Sequence, residues 1–496
     1  MSNSPRTLWS AGARYDIEAL RGFAVMAVIF FHAGIAPFQS GFIGVDVFFV
    51  ISGFLIIGML FREWNNTGRI RLAAFWGRRA RRLLPAAGVV VAFTAFASWL
   101  LAGKLTQQDI RLDLVAASFF GANLRFGMAQ SDYWAADYES PALHYWSLGV
   151  EEQFYLAAPL LIALIAFATR KLHRDRARLV ALGGLGFVGL ASFAYSRYLS
   201  TENTVWNYYS PFTRAWEFAL GGIIALLPFT ADRLDHRLRK AVLIGGWLAL
   251  AWCTVGIAIH DNWPDWISLV PVIATAAVIY AGHDSRTALQ VVNSGERRAL
   301  KRSLAWLGGI SYSAYLWHWP LLWSAAMATG TQNVEDLQLQ WALLALAIAF
   351  WFASLTKYLI EDPIRFSQKL VRSPIRSLFH GSLSAATTVA IALATQALPA
   401  QSLAPAPVKT KDVSAIVTPG WDDANPQWLR DAISQYVPGI DLNDVVANQQ
   451  PGLENVSSDF GEAIDDGCQP EFLQDNQPGD CIYGDKDSGR AIGLMG

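Results

Sequence analysis

The chain has 496 residues, 53% of them hydrophobic and only 16% charged, well short of the roughly 25% charged residues of an average soluble domain. With 20 Trp, 28 Phe and three Cys, the composition excludes a disordered chain, a collagen-like repeat and a disulfide-stapled miniprotein, and points toward lipid. The net charge of −1 hides two unequal parts: residues 1–398 hold 34 Lys and Arg against 24 Asp and Glu, and residues 399–496 hold 5 against 16. A basic membrane body followed by an acidic tail argues against a nucleic-acid partner.

A helix that crosses a bilayer needs about 20 mostly apolar residues. Eleven stretches qualify, near 17–36, 42–60, 84–102, 145–167, 179–199, 211–229, 241–259, 266–282, 304–327, 339–356 and 379–398. The expected fold class is an all-α polytopic membrane protein with about eleven transmembrane helices. The segment 112–126 is too short and polar to span and reads as interfacial. With the N-terminus in the cytoplasm, the cytoplasmic segments carry 28 Lys and Arg and the outer loops only 3, the bias that sets orientation in membranes. An odd number of spans then carries the C-terminal tail to the outer side. No signal-peptide pattern precedes the first span, which is expected to act as the anchor.

The tail begins with a Pro-rich spacer at 399–411 and continues as an acidic, Asn-, Gln- and Gly-rich linker. Cys468 and Cys481 lie in the outer compartment, where disulfides persist, and are expected to bridge. Cys253 sits inside a span and reads as packing.

Ionisable groups inside spans are costly and are functional candidates by default. Arg21 and His32 are eleven residues apart, within about 20° of a whole number of helical turns and separated by roughly 16 Å of rise, so they share one helix face. A cation near the cytoplasmic side and an imidazole near the outer side suit a path from an inner donor to an outer acceptor. Asp46, near the outer end of the second span, either caps that helix or orients an imidazole such as His32. The first cytoplasmic loop ends in Arg78, Arg79, Arg81 and Arg82, which serve as a positive-inside stop and also suit phosphate recognition. Glu151 and Glu152 open the fourth span in WSLGVEEQFY; as helical neighbours they diverge by about 100°, so only one is expected to face a given site. Arg214 and Glu217 read as an i,i+3 ion pair. The ninth span holds the aromatic run around Tyr312, Tyr315, Trp317, His318 and Trp319, with Pro320 expected to kink it.

Taken in order, the Arg21–His32 pair, GVDVFFVISGFL, the RxxR within Arg78–Arg82, WSLGVEEQFY, RAWEFALG, SYSAYLWHWP and IEDPIR (360–365) resemble the acyltransferase 3 family of membrane-bound O-acyltransferases that modify bacterial surface glycans. The resemblance covers residues 15–365. It implies transfer of an acyl group, usually acetyl, from cytoplasmic acyl-CoA to a sugar hydroxyl at the outer face of the inner membrane, with lipopolysaccharide O-antigen or a lipid-linked glycan as the acceptor. It makes His32 the catalytic residue; Asp46 and Glu151 are its expected catalytic partners on the reading of the residues themselves. Arg21, Arg78, Arg79, Arg81, Arg82, Tyr312 and His318 then form the donor-binding set, and no metal is implied. Two RxxR registers are open, Arg78/Arg81 and Arg79/Arg82. The expected domains are a transmembrane acyltransferase domain at 1–398 and a periplasmic lead-in at 399–496. CIYGDKDSGRAIGLMG resembles the approach to an SGNH-type esterase-like domain whose nucleophile is not in this sequence. A transporter or flippase of a lipid-linked sugar or acyl carrier fits the spans and internal charges equally well; a catalytically inert scaffold is the third reading.

Overall fold

The computed structural model describes residues 14–129, 139–227, 235–257, 262–282, 295–331 and 333–398. The chain divides into two units, Met1–Pro407 and Val408–Gly496, and every described residue belongs to the first. The expected Cys468–Cys481 bridge and the lead-in at 399–496 lie outside the described residues.

Among these residues every regular element is helical. In chain order they are α1 (Tyr15–His32), α2 (Gly44–Thr67), α3 (Leu72–Leu101), α4 (Lys104–Ser118), α5 (Ala122–Ala129), α6 (Tyr145–Ala168) and α7 (Arg174–Glu202). They continue with α8 (Thr204–Tyr209), α9 (Pro211–Leu226), α10 (His236–Gly256), α11 (Leu269–Ala281), α12 (Gly295–Thr329), α13 (Leu339–Thr356) and α14 (Pro374–Ala397). Each of the eleven apolar stretches overlaps a helix among the described residues, and the segment read as interfacial is divided between α4 and α5. Seven helical segments among the described residues are both long and apolar enough to cross a membrane: Gly41–Thr67, Leu72–Leu101, Tyr145–Ala168, Arg174–Glu202, His236–Gly256, Leu339–Arg365 and Pro374–Thr395.

The outer surface agrees with that reading. Leu156, Leu160, Leu164 and Phe167 form an exposed stripe on α6, Leu179, Phe187 and Leu190 another on α7, and Ile375, Phe379 and Leu383 a third on α14. Apolar stripes of this extent are a liability in water and are solvated in hydrocarbon. The molecule is an all-α polytopic membrane protein.

Local sequence sets the helix ends. Ser210 accepts a hydrogen bond from the Phe212 N–H and Pro211 occupies the first turn of α9, where a missing N–H costs nothing. Ser373 and Pro374 open α14 in the same way. Gly68 closes α2 with φ +71°, a left-handed conformation that suits glycine.

Small residues set the packing. Gly53 of α2 and Gly221 of α9 let the two backbones touch: a Cβ at Gly53 would lie 2.0 Å from the Phe218 carbonyl oxygen, and one at Gly221 would lie 2.1 Å from that of Val50. Close backbone approach through glycine is how apolar helices associate where no hydrophobic drive exists between them. α12 packs along α1 and α13, and α3 along α14. Helix α12 runs continuously through Pro320. Trp317 of α12 donates to the Thr356 hydroxyl at 2.8 Å and stacks on Phe352. Trp319 and Trp323 donate to the carbonyls of Ser140 and Glu139 at 2.8 and 2.9 Å. These bonds hold the start of α6, and with it His144, against α12.

Candidate active site

Helices α1, α2, α3, α6 and α12 surround a pocket of about 890 Å³, counted out to solvent at its mouth. Its cations are Arg21, Arg79 and Arg82, its carboxylates Glu151 and Glu152, and its hydroxyls those of Ser52, Ser147, Tyr155, Ser311, Tyr312 and Tyr315. Apolar walls come from Val45, Phe48, Phe49, Leu55 and Leu83 among others.

The arginine cluster divides by register. Arg79 and Arg82 line the pocket, three residues apart on one face of α3. Arg78 turns outward toward Glu63 at 3.8 Å. Arg81 is spent on structure, donating to the Arg365 and Gly77 carbonyls and to the Ser377 hydroxyl at 3.0 Å. The structure therefore sets Arg79/Arg82 apart from Arg78/Arg81. The Arg79 guanidinium lies 4.6 Å from the centre of the Tyr155 ring, a cation–π contact. Neither Arg79 nor Arg82 has an ion-pair partner among the described residues, and the buried Nε of Arg82 has no hydrogen-bond partner. Arg21 is satisfied, with Glu18 at 3.2 Å and the Ser311 hydroxyl at 2.9 Å.

On α6, Glu151 accepts from the hydroxyls of Ser52 and Tyr155, which are themselves 2.8 Å apart. Glu152 lines the same pocket, so the expectation that only one of the two acids faces a site does not hold. A cavity wide enough to span more than a quarter turn of α6 receives both side chains. Tyr312 reaches across to the Leu83 carbonyl at 2.9 Å.

At the Tyr315 end the pocket meets a cluster of imidazoles. The Tyr315 hydroxyl lies 2.6 Å from that of Ser147 and 3.1 Å from the His144 carbonyl oxygen. His32 Nδ1 lies 2.9 Å from His318 Nε2, with the rings parallel and 5.2 Å apart. His318 is fully buried and packs edge-on against His144; neither it nor His32 lines the pocket, which reaches the pair through Tyr315. Of the residues expected to bind the donor, His318 contacts His32.

Asp46 is not near that pair. It lies 3.0 Å from Arg214, which is also 3.2 Å from Glu217, all three being almost wholly buried. Trp146 and Tyr208 cover the guanidinium at 5.6 and 5.2 Å. The Arg214–Glu217 pair expected from spacing is present, and Asp46 enlarges it to a triad across 168 residues of sequence. An aspartate reserved for orienting His32 is not what the geometry gives, because a buried cation flanked by lipid-facing helices needs its counter-charge. Glu361, in a π-helical turn at Lys357–Glu361, accepts from Ser313 at 3.2 Å and belongs to the IEDPIR motif. Glu361 is visible in the sequence through IEDPIR, where it stands four residues before Arg365 and 3.9 Å from it, whereas Ser52 and His144 carry no periodic or charge-pattern signal that a single sequence reveals.

Fold and site together define a membrane-embedded protein with a cation-lined pocket beside a histidine pair. The family profile described as an acyltransferase domain, that of acyltransferase 3, matches residues 14–358, and the chain belongs to this family. Among curated proteins it is 29% identical to the peptidoglycan O-acetyltransferase OatA of Listeria monocytogenes over 361 residues, 71% of this chain and 55% of that protein. It is 29% identical over 359 residues to YrhL of Bacillus subtilis, provisionally named a peptidoglycan O-acetyltransferase, covering 70% of this chain and 54% of YrhL. A Staphylococcus aureus protein provisionally named an O-acetyltransferase, SACOL0978, is 27% identical over 364 residues, 70% of this chain and 57% of its own. The chain thus spans about half the length of the curated relatives it matches. No solved structure matches it.

Proposed function

We propose that the chain transfers an acyl group, acetyl being the expected one, from acyl-CoA on the cytoplasmic side to a hydroxyl of a surface glycan on the other. The observation that carries this reading is the pair Arg79 and Arg82: two guanidiniums without ion-pair partners among the described residues, facing one pocket. Guanidinium forks match phosphate oxygens, and with Glu151 and Glu152 in the pocket but not within ion-pairing distance, both guanidiniums keep donors for an anionic ligand. The phosphates of a CoA thioester supply such an anion.

With the phosphates on Arg79 and Arg82, the thioester lies deeper in the pocket, toward Tyr315. The acceptor hydroxyl attacks the thioester carbonyl carbon while His32 takes its proton. The carbon–sulfur bond then breaks, and the thiolate leaves with that proton as CoA thiol. Tyr315 joins the two halves of the site, its side chain closing the pocket and its carbonyl bonding His318. Lipopolysaccharide and peptidoglycan both present sugar hydroxyls. The names of the relatives favour peptidoglycan, and we take a cell-wall glycan as the acceptor in preference to O-antigen.

The test is incubation of the purified chain with acetyl-labelled acetyl-CoA and soluble peptidoglycan fragments. Transfer of label to glycan with release of CoA is expected, and His32→Ala is expected to abolish it at wild-type expression. Movement of a glycan or carrier across vesicles without CoA release would favour a transporter instead.

A further inference from the structure

Base catalysis by His32 depends on which of its nitrogens carries the proton. An imidazole can act as a base only through a nitrogen with a free lone pair, and that is set by what the other nitrogen bonds. The structure places a second histidine on His32 and a backbone carbonyl on that second histidine. His318 Nδ1 is 2.5 Å from the Tyr315 carbonyl oxygen, and His318 Nε2 is 2.9 Å from His32 Nδ1.

A carbonyl oxygen only accepts, so His318 Nδ1 must carry a hydrogen. A lone pair there would face the oxygen lone pairs at contact distance. His318 is fully buried, and a doubly protonated ring there would be a buried cation with no carboxylate bonded to it. Its Nε2 therefore holds a lone pair, and the hydrogen between the rings belongs to His32 Nδ1. The remaining nitrogen, His32 Nε2, is left with its lone pair and has no hydrogen-bond partner among the described residues. His32 stands at the last position of α1 and is only partly buried, whereas His318 is fully buried.

We infer that His318 is a positioning residue: its Nδ1–H bond to the Tyr315 carbonyl dictates the tautomer of His32 and leaves Nε2 as the one nitrogen able to receive the acceptor's proton. The assignment rests on the acyl-transfer reading for its purpose but not for its geometry. The device does the work of a carboxylate behind a catalytic imidazole, without a charge in the low-dielectric interior. A carboxylate would stabilise the imidazolium more strongly. A neutral imidazole orients the ring, fixes the proton and adds no desolvated anion.

The experiment is nitrogen-15 magnetic resonance of the full chain, labelled at its eight histidines and reconstituted in lipid, with His32→Gln used to assign the His32 signals. In the wild type His32 is expected to be protonated at Nδ1 and bare at Nε2. In His318→Leu, which fills the volume without an acceptor, the population shifts to the opposite tautomer. His318→Gln presents an amide oxygen to Nδ1 and retains the wild-type form. In acetyl-CoA turnover, His318→Leu is expected to lose ~10-fold or more in kcat with KM for acetyl-CoA unchanged, and His318→Gln to recover most of it. A wild-type His32 protonated at Nε2 would overturn the inference. So would an unchanged kcat in His318→Leu, or equal loss in the Leu and Gln variants with the tautomer unaltered. The resonance measurement needs no turnover, so a wild type with the expected tautomer and no CoA release would refute the acyl-transfer reading alone.

Discussion

Arg78, Arg79, Arg81 and Arg82 stand within five residues, yet only Arg79 and Arg82 face the pocket. Charge density alone made the four equivalent, and the difference lies in the rotation of α3 against α6, a tertiary property. Replacing Arg79 by Gln removes a charge-assisted contact worth about 1.5–3 kcal/mol, so KM for acetyl-CoA should rise at least ~10-fold. Arg78→Gln should leave it within ~2-fold, and steady-state CoA release measures both. The buried triad makes a stability prediction of the same kind. Arg214→Met leaves Asp46 and Glu217 facing each other without a cation, and loss of one partner of a buried pair costs roughly 3–5 kcal/mol. A thermal-shift assay in detergent should show a large drop, partly recovered when Asp46→Asn and Glu217→Gln are added. The i,i+3 spacing made Arg214–Glu217 legible in the sequence. Asp46 was not assignable to them, because nothing in one chain links positions 168 residues apart.

At the scale of the helix, hydropathy located the spans, since twenty apolar residues in a row have few other uses. It did not say which helices touch. That information sits in small residues whose partners are distant, and Gly53 with Gly221 is the clearest case. Gly53→Val would press a side chain into the Phe218 carbonyl; overpacking of this kind typically costs ~1–3 kcal/mol, and full backbone contact puts it at the upper end. Gly183→Ala on α7, where a Cβ meets nothing within 4 Å, should be neutral or slightly stabilising. Thermal unfolding of the two variants separates a designed crossing from a merely glycine-rich helix. The start of α6 teaches a related lesson. Sequence periodicity sent Glu151 and Glu152 in different directions, and the breadth of the pocket brought both to one site. Helix α12 continues without a break through Pro320, with the Ser324 hydroxyl bonding the Pro320 carbonyl at 2.6 Å.

For the whole molecule, the uneven distribution of Lys and Arg supplies the proposed sidedness, and the pocket supplies its purpose. Arg21 and Arg82 lie in the N-terminal halves of α1 and α3, next to the basic segments, whereas His32 closes α1 at its far end. Donor binding and acyl acceptance are thus proposed for opposite faces of one bundle. Vesicles of defined orientation test this directly. Inverted membrane vesicles, with the cytoplasmic face outward, should release CoA from added acetyl-CoA, and right-side-out vesicles should do so only after permeabilisation, with His32→Ala silent in both. Release from intact right-side-out vesicles, or undiminished release by His32→Ala, would contradict the account.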